Sequence, residues 1–81
     1  MTLEISTILT LSTAHVTEET AKLLEHHCRH DEYGFFMSTH YVRWPSEDLV
    51  EVLKFARANG CDYVNLDRDG PVVDELPVYD W

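Results

Sequence analysis

The hydrophobic period of this chain switches from two to about 3.6 and back, twice, and those switches bound what it can fold into. Leu3, Ile5, Leu9 and Leu11 occupy odd positions, with Glu4, Ser6, Thr10 and Ser12 between them. Such alternation predicts a half-buried strand, with Ile8 as the exception. Thr17 then offers an N-cap, and Glu18 and Glu19 fall in the first turn, where the helix dipole favours anions. Val16 and Ala21 stand at the positions of a hydrophobic staple, and Ala21, Leu24 and Cys28, with Leu23 beside them, mark the apolar face of a helix over 17–30. Tyr33 to Trp44 is aromatic and β-branched and reads as one strand, or two short ones bent near Ser38–His40. Pro45 and Ser46, followed by Glu47 and Asp48, announce a second helix with Leu49, Val52, Leu53 and Ala56 as its buried stripe. Arg57 sits in its last turn, and Asn59–Gly60 provides a left-handed stop. A strand over 62–66, a turn at Asp69–Gly70 and a returning strand at Val72–Val73 complete the expectation. The order β-α-β-α-β-β makes an α+β domain: a small, mainly antiparallel sheet with both helices on one face.

At 81 residues the chain has room for one domain, residues 1–81, whose core stays thin because a chain this short buries only about 60% of its unfolded surface. Hydrophobic residues at 44% beside charged residues at 26% argue against disorder. Six Lys+Arg against fifteen Asp+Glu, net −9, exclude a simple nucleic-acid binder and disfavour an anionic membrane surface. Cys28 and Cys61 are too few for a disulfide framework, and residues 1–12 lack the basic start of a signal peptide, so a cytoplasmic protein with reduced thiols is expected.

Three site chemistries can be weighed against simpler roles. His26, His27, Cys28 and His30 are the most metal-like group, with His26 and His30 one helical turn apart, but a structural zinc site needs about four ligands. A helix C-terminus that favours His, with Cys28 in the core, explains the same residues. Asp67-Arg68-Asp69-Gly70 opens like a calcium loop but lacks the later acidic ligands, and a turn accounts for it. Ser12, Thr13 and His15 lie together and His40 elsewhere, without a glycine-rich oxyanion loop or nucleophile elbow, so no enzyme, cofactor or metal is expected.

The acids remain. Glu18–Lys22 and Glu25–Arg29 are i,i+4 pairs that neutralise the first helix. Residues 62–81 hold six acids against Arg68 alone, so more than half of the net charge falls in the last quarter of the chain. Glu47 and Glu51 add a like-charge i,i+4 pair on the second helix. Asp67, Asp69, Asp74, Glu75 and Asp80, with Glu47, Asp48 and Glu51, are therefore the expected contacts for a basic partner, although plain solubility would use the same charges. Tyr63, Tyr79 and Trp81 accompany them, as binding anchors or as a tail folded back over a thin core; for Trp81 the second role is favoured.

Ser12-Thr13-Ala14-His15-Val16-Thr17 with Glu19-Thr20-Ala21, and Leu66-Asp67-Arg68-Asp69-Gly70 with Leu76-Pro77-Val78-Tyr79-Asp80-Trp81, resemble a family of short acidic, uncharacterised proteins of bacterial phages, plasmids and other mobile elements. The resemblance carries no catalytic residues. In length and charge the chain is also similar to small anti-CRISPR proteins. That likeness implies an inhibitor in the cytoplasm of a bacterial host, binding a basic DNA-handling surface of a type I CRISPR effector subunit by DNA mimicry. The alternative expectation is an interaction module or homodimer that works through an apolar face, with no direct nucleic acid and no membrane.

Overall fold

The computed structural model describes residues 3–40 and 46–81; Tyr41, Val42, Trp44 and Pro45, which the sequence places in a strand and at a helix start, lie outside them. β1 (Ile8–Ser12) leads through a single 3₁₀ turn (Thr13–His15) into α1 (Glu18–His27). β2 (Arg29–His30) and β3 (Gly34–Ser38) form a short hairpin, then come α2 (Glu47–Ala58) and β4 (Tyr63–Asp67). The strands lie in the order β1-β4-β3-β2, with β1 parallel to β4 and the other two pairings antiparallel. The molecule is thus an α+β fold with a mixed four-stranded sheet, connected β-α-β-β-α-β.

Register sorts the strand residues onto two faces. Leu9, Val64 and Met37 share one face with Leu11, Leu66 and Phe35. Both helices cover that face through Ala21, Leu24, Leu49, Val52, Leu53 and Ala56, all buried. Each fully buried aliphatic side chain in this layer contributes about 1.5–3 kcal/mol of transfer free energy. The opposite face carries Ile8, Thr10, Phe36, Tyr63 and Asn65, and no described element lies over it.

Local chemistry sets most boundaries. The Thr17 side chain accepts from the Thr20 N–H at 3.2 Å and starts α1. Gly60, at φ 75°, ends α2. One oxygen of Asp31 accepts from the Tyr33 and Gly34 N–H groups at 2.8 and 3.1 Å, which turns the chain between β2 and β3. Gly34 allows β3 to lie close against β4, because a Cβ there would stand 1.7 Å from the Leu66 carbonyl oxygen.

Three expectations are corrected. The helix expected to reach residue 30 stops at His27, because Cys28 is extended and Arg29 and His30 pair with Phe36 and Phe35. Residues 3–7 precede the ladder, and Leu3 and Ile5 are open to solvent rather than half-buried. The returning strand at Val72–Val73 does not form. β4 already has β1 on one flank and β3 on the other, so a chain leaving its end has no edge to return to. Asp69–Gly70 is a turn closed by Gly70 N–H to the Asp67 carbonyl at 2.9 Å, and the following tail crosses to β1, where the Pro71 carbonyl accepts from the Ser12 N–H at 2.8 Å.

Candidate partner-binding site

The parallel pairing of β1 and β4 decides where the acids go. Both strands end on one side of the molecule, at Ser12 and Asp67. α1 begins just after β1, and α2 enters β4 through a short turn, so the N-termini of both helices lie at that same end. Gly34 pairs with Asp67, which places the β2–β3 turn there as well. The tail then folds across it. Tyr79 N–H donates to the Ala14 carbonyl at 2.8 Å, and Trp81 Nε1–H to the Val16 carbonyl at 2.9 Å.

Seven of the eight acids singled out from the sequence, namely Asp67, Asp69, Asp74, Glu75, Asp80, Glu47 and Asp48, therefore sit on elements that meet at one end, and Glu51 follows one turn along α2. The exposed ones are Asp69, Asp74, Glu75, Asp80, Glu47 and Glu51. Asp67 is half-buried, and its Oδ1 accepts from the Asp69 N–H at 2.8 Å, which closes the turn after β4. Asp48 is committed to the fold. Its two oxygens accept from the Thr17 N–H at 2.7 Å, from the Thr20 hydroxyl at 3.0 Å and from the Ser46 hydroxyl, tying the start of α2 to the start of α1. Desolvation pushes the Asp48 carboxyl up, but the bonds from Ser46, Thr17, Thr20 and the Leu49 backbone outweigh it and hold the group below its ordinary value.

The same end gathers acids that the sequence reading left on other elements. Glu18 and Glu19 line a groove with Asp80, Tyr79 and Trp81. Asp31 and Glu32 line a second, with Glu25, Tyr33, Arg68 and Trp81. Tyr33 and Trp81 are each about half exposed, and the Arg68 guanidinium lies 5.3 Å from the Tyr33 ring centroid. A cation thus already rests on one aromatic of this cleft, within the range of a cation–π contact. The tail does fold back, with the Trp81 indole N–H bonded to the Val16 carbonyl, but the ring stays about half exposed and does not join the buried core.

Other groups take structural places. Arg29 has left α1, so its expected helical pair with Glu25 does not form, whereas Lys22 and Glu18 do pair, at 4.0 Å. His30 has also left the helix, with Nδ1 3.3 Å from the Cys28 carbonyl, and the one-turn spacing from His26 is lost. Among the described residues no three His, Cys, Asp or Glu side chains converge to hold a metal ion. Burial pushes the Cys28 thiol up against a smaller opposing effect of the Phe36 backbone, and its Sγ lies 3.3 Å from the Leu24 carbonyl. His15 is 1% exposed; Nδ1 meets the Pro77 carbonyl at 2.8 Å and Nε2 accepts from the Val73 N–H at 3.0 Å. That pattern sets a neutral ring with its proton on Nδ1. His15 clamps the tail and leaves no nitrogen free for catalysis.

No helix among the described residues is long and apolar enough to cross a membrane. No curated protein and no solved structure is significantly similar to the chain. A family described as a family of unknown function (DUF5983), C-terminal domain, matches residues 8–81, nearly the whole chain, and the protein belongs to that family.

Proposed function

We propose that this domain is a non-enzymatic acidic binding module whose acid-rich end docks on a basic protein surface of the kind that otherwise holds nucleic-acid phosphates. One observation carries the reading: the parallel β1–β4 pairing gathers both helix starts, the β2–β3 turn and the tail, and with them most of the fifteen acids, at a single end. Acids spread only for solubility have no reason to share an end, since crowding like charges costs folding free energy. The sheet and the His15 clamp fix their spacing, so little ordering entropy is lost on binding. Exposed Tyr33 and Trp81 in the acidic cleft would take arginine or lysine side chains of the partner, as Tyr33 already takes Arg68.

The sharpest form of the proposal is inhibition of a type I CRISPR effector by occupation of its DNA-binding surface. The test is competition: a labelled target duplex on the purified effector, displaced by increasing amounts of this protein. Displacement is expected to weaken steeply with salt, because exposed charges are screened beyond about 8–10 Å at physiological ionic strength. The variant Asp69→Lys/Asp74→Lys/Glu75→Lys is expected to lose at least tenfold in affinity, about 1.4 kcal/mol. Glu4→Lys, outside the acid-rich end, serves as the control. Equal displacement by the triple variant and the wild type would refute the acidic-docking reading. Displacement from other basic proteins but not from the effector would move the target and keep the surface.

A further inference from the structure

Trp81 lines two grooves, and both are acidic. On one side Glu18, Glu19 and Asp80 border a cavity of about 430 Å³. On the other, Glu25, Asp31 and Glu32 border one of about 290 Å³, with Tyr33 in its wall. Each has room for one long side chain and not for a folded element. Acids alone draw any cation. The rings discriminate, because an aromatic face stacks a planar, weakly hydrated guanidinium better than a compact, strongly hydrated ammonium.

Both rings stand on backbone that is held. The Trp81 indole N–H is bonded to the Val16 carbonyl at 2.9 Å, and Val16 is fully buried. Tyr33 N–H donates to Asp31 Oδ1 at 2.8 Å, and the Tyr33 carbonyl accepts from the Arg68 N–H at 2.8 Å. Each ring is nonetheless about half exposed. Rings fixed in place and open to water lose little freedom when a ligand stacks on them. Arg68 shows what such a ring takes. It is flanked in sequence by Asp67 and Asp69, yet among the described residues it makes no ion pair within 4.0 Å. Its guanidinium carbon lies 5.3 Å from the Tyr33 ring centroid instead. The one base of residues 62–81 rests on an aromatic ring rather than on a carboxylate.

We propose that Tyr33 and Trp81 make the acid-rich end selective for arginine over lysine, with Trp81 as the shared wall between two grooves that each admit one guanidinium-bearing side chain. The partner is then a protein surface that presents at least two neighbouring arginines, and Arg68 is the internal competitor for the Tyr33 face. This inference rests on the docking reading of the acid-rich end and specifies which basic group that end recognises.

Two labelled peptides of equal length and charge, hexa-arginine and hexa-lysine, test it by fluorescence anisotropy at low ionic strength, where exposed charges are least screened. The wild type is expected to bind hexa-arginine about tenfold more tightly than hexa-lysine, the size of two exposed cation–π contacts. Tyr33→Leu, which leaves the tail untouched, should reduce that ratio to about threefold, and Tyr33→Leu/Trp81→Leu should bring it close to one. Neither change alters charge, so hexa-lysine affinity should stay within about twofold throughout. Trp81→Phe, which keeps a ring but loses the N–H, should retain most of the ratio. Arg68→Gln removes a positive charge, which strengthens both peptides, and also frees the Tyr33 face, so the ratio itself should rise. Far-ultraviolet circular dichroism confirms that each variant is folded. Equal affinity of the wild type for the two peptides would overturn the selectivity and leave acidic docking standing. A tenfold ratio that survives in folded Tyr33→Leu/Trp81→Leu would overturn it as well. Failure of both peptides to bind would overturn the docking reading and this inference together.

Discussion

His15 and Asp48 are polar groups that the fold consumes, and each makes a prediction. His15 holds two backbone groups of the tail, one with each ring nitrogen. His15→Leu fills similar space but leaves the Val73 N–H without its acceptor, and an unpaired buried donor costs about 1–3 kcal/mol. A fall of that size in the free energy of urea unfolding is expected, and His15→Leu with wild-type stability would remove the clamp from the account. For Asp48 the expected signature is pH. Its pKa is lowered in the fold, so its contribution is complete above the ordinary carboxylate value of about 3.8 and is lost as pH falls through the lower folded value. Asp48→Asn retains shape but not charge. The stability gap between wild type and Asp48→Asn should therefore be widest near neutrality and close as urea midpoints are followed below about pH 4. A gap independent of pH would mean that the carboxylate charge contributes nothing at the junction of the helices.

At the scale of elements, the tail is the least conventional part of the fold, since residues 68–81 form no helix or strand yet carry a buried Leu76. Ending the chain after Leu76 removes the bonds of Pro77 to His15, Tyr79 to Ala14 and Trp81 to Val16. At about 1 kcal/mol each, their loss should lower the melting temperature by on the order of 10–20 °C for a domain of this size. An unchanged melting temperature would reduce the tail to an appendage. The sequence disclosed this fold unevenly, for a physical reason. Thr17, the Leu49–Val52–Leu53–Ala56 stripe and Gly60 act within a turn or two of themselves, and both helices were legible from them. The missing strand at Val72–Val73 and the helix end at His27 depend on β4 being flanked on both sides and on Arg29 meeting Phe36, contacts made across the sheet that no local pattern encodes. The site was legible in the same way. The acids of 67–80 and 47–51 stand out by their density, whereas Glu18, Glu19, Asp31 and Glu32 join them only through the β1–β4 and β3–β4 registers. A trace of the turn does exist in Asp31 three residues before Gly34, the spacing of a side-chain-capped turn.

Across the whole molecule charge is unevenly placed: most acids share one end, β1 is uncharged, and toward the other end Lys54 and Arg57 are balanced by Glu4 and Asp62. Crowding acids at one end has a consequence for stability that needs no partner. Repulsion among Asp69, Asp74, Glu75, Asp80, Glu18 and Glu19 is present in the folded chain and largely relieved on unfolding, so it lowers stability at low ionic strength. Adding salt shortens the screening length from about 30 Å at 0.01 M to about 3 Å at 1 M and should remove most of that penalty. Sodium chloride is therefore expected to raise the melting temperature, opposite to its expected effect on partner binding. Asp74→Lys/Glu75→Lys, which replaces two exposed acids with bases, should raise the low-salt melting temperature and flatten its dependence on salt. The same change at Glu4, away from the acid-rich end, should leave the slope nearly as it is. Thermal melts of the three proteins across that range of salt measure the effect directly. A wild type whose melting temperature ignores salt would mean that the acids, though gathered at one end, stand too far apart to repel. The preorganised negative surface on which the docking proposal rests would then lose its electrostatic basis.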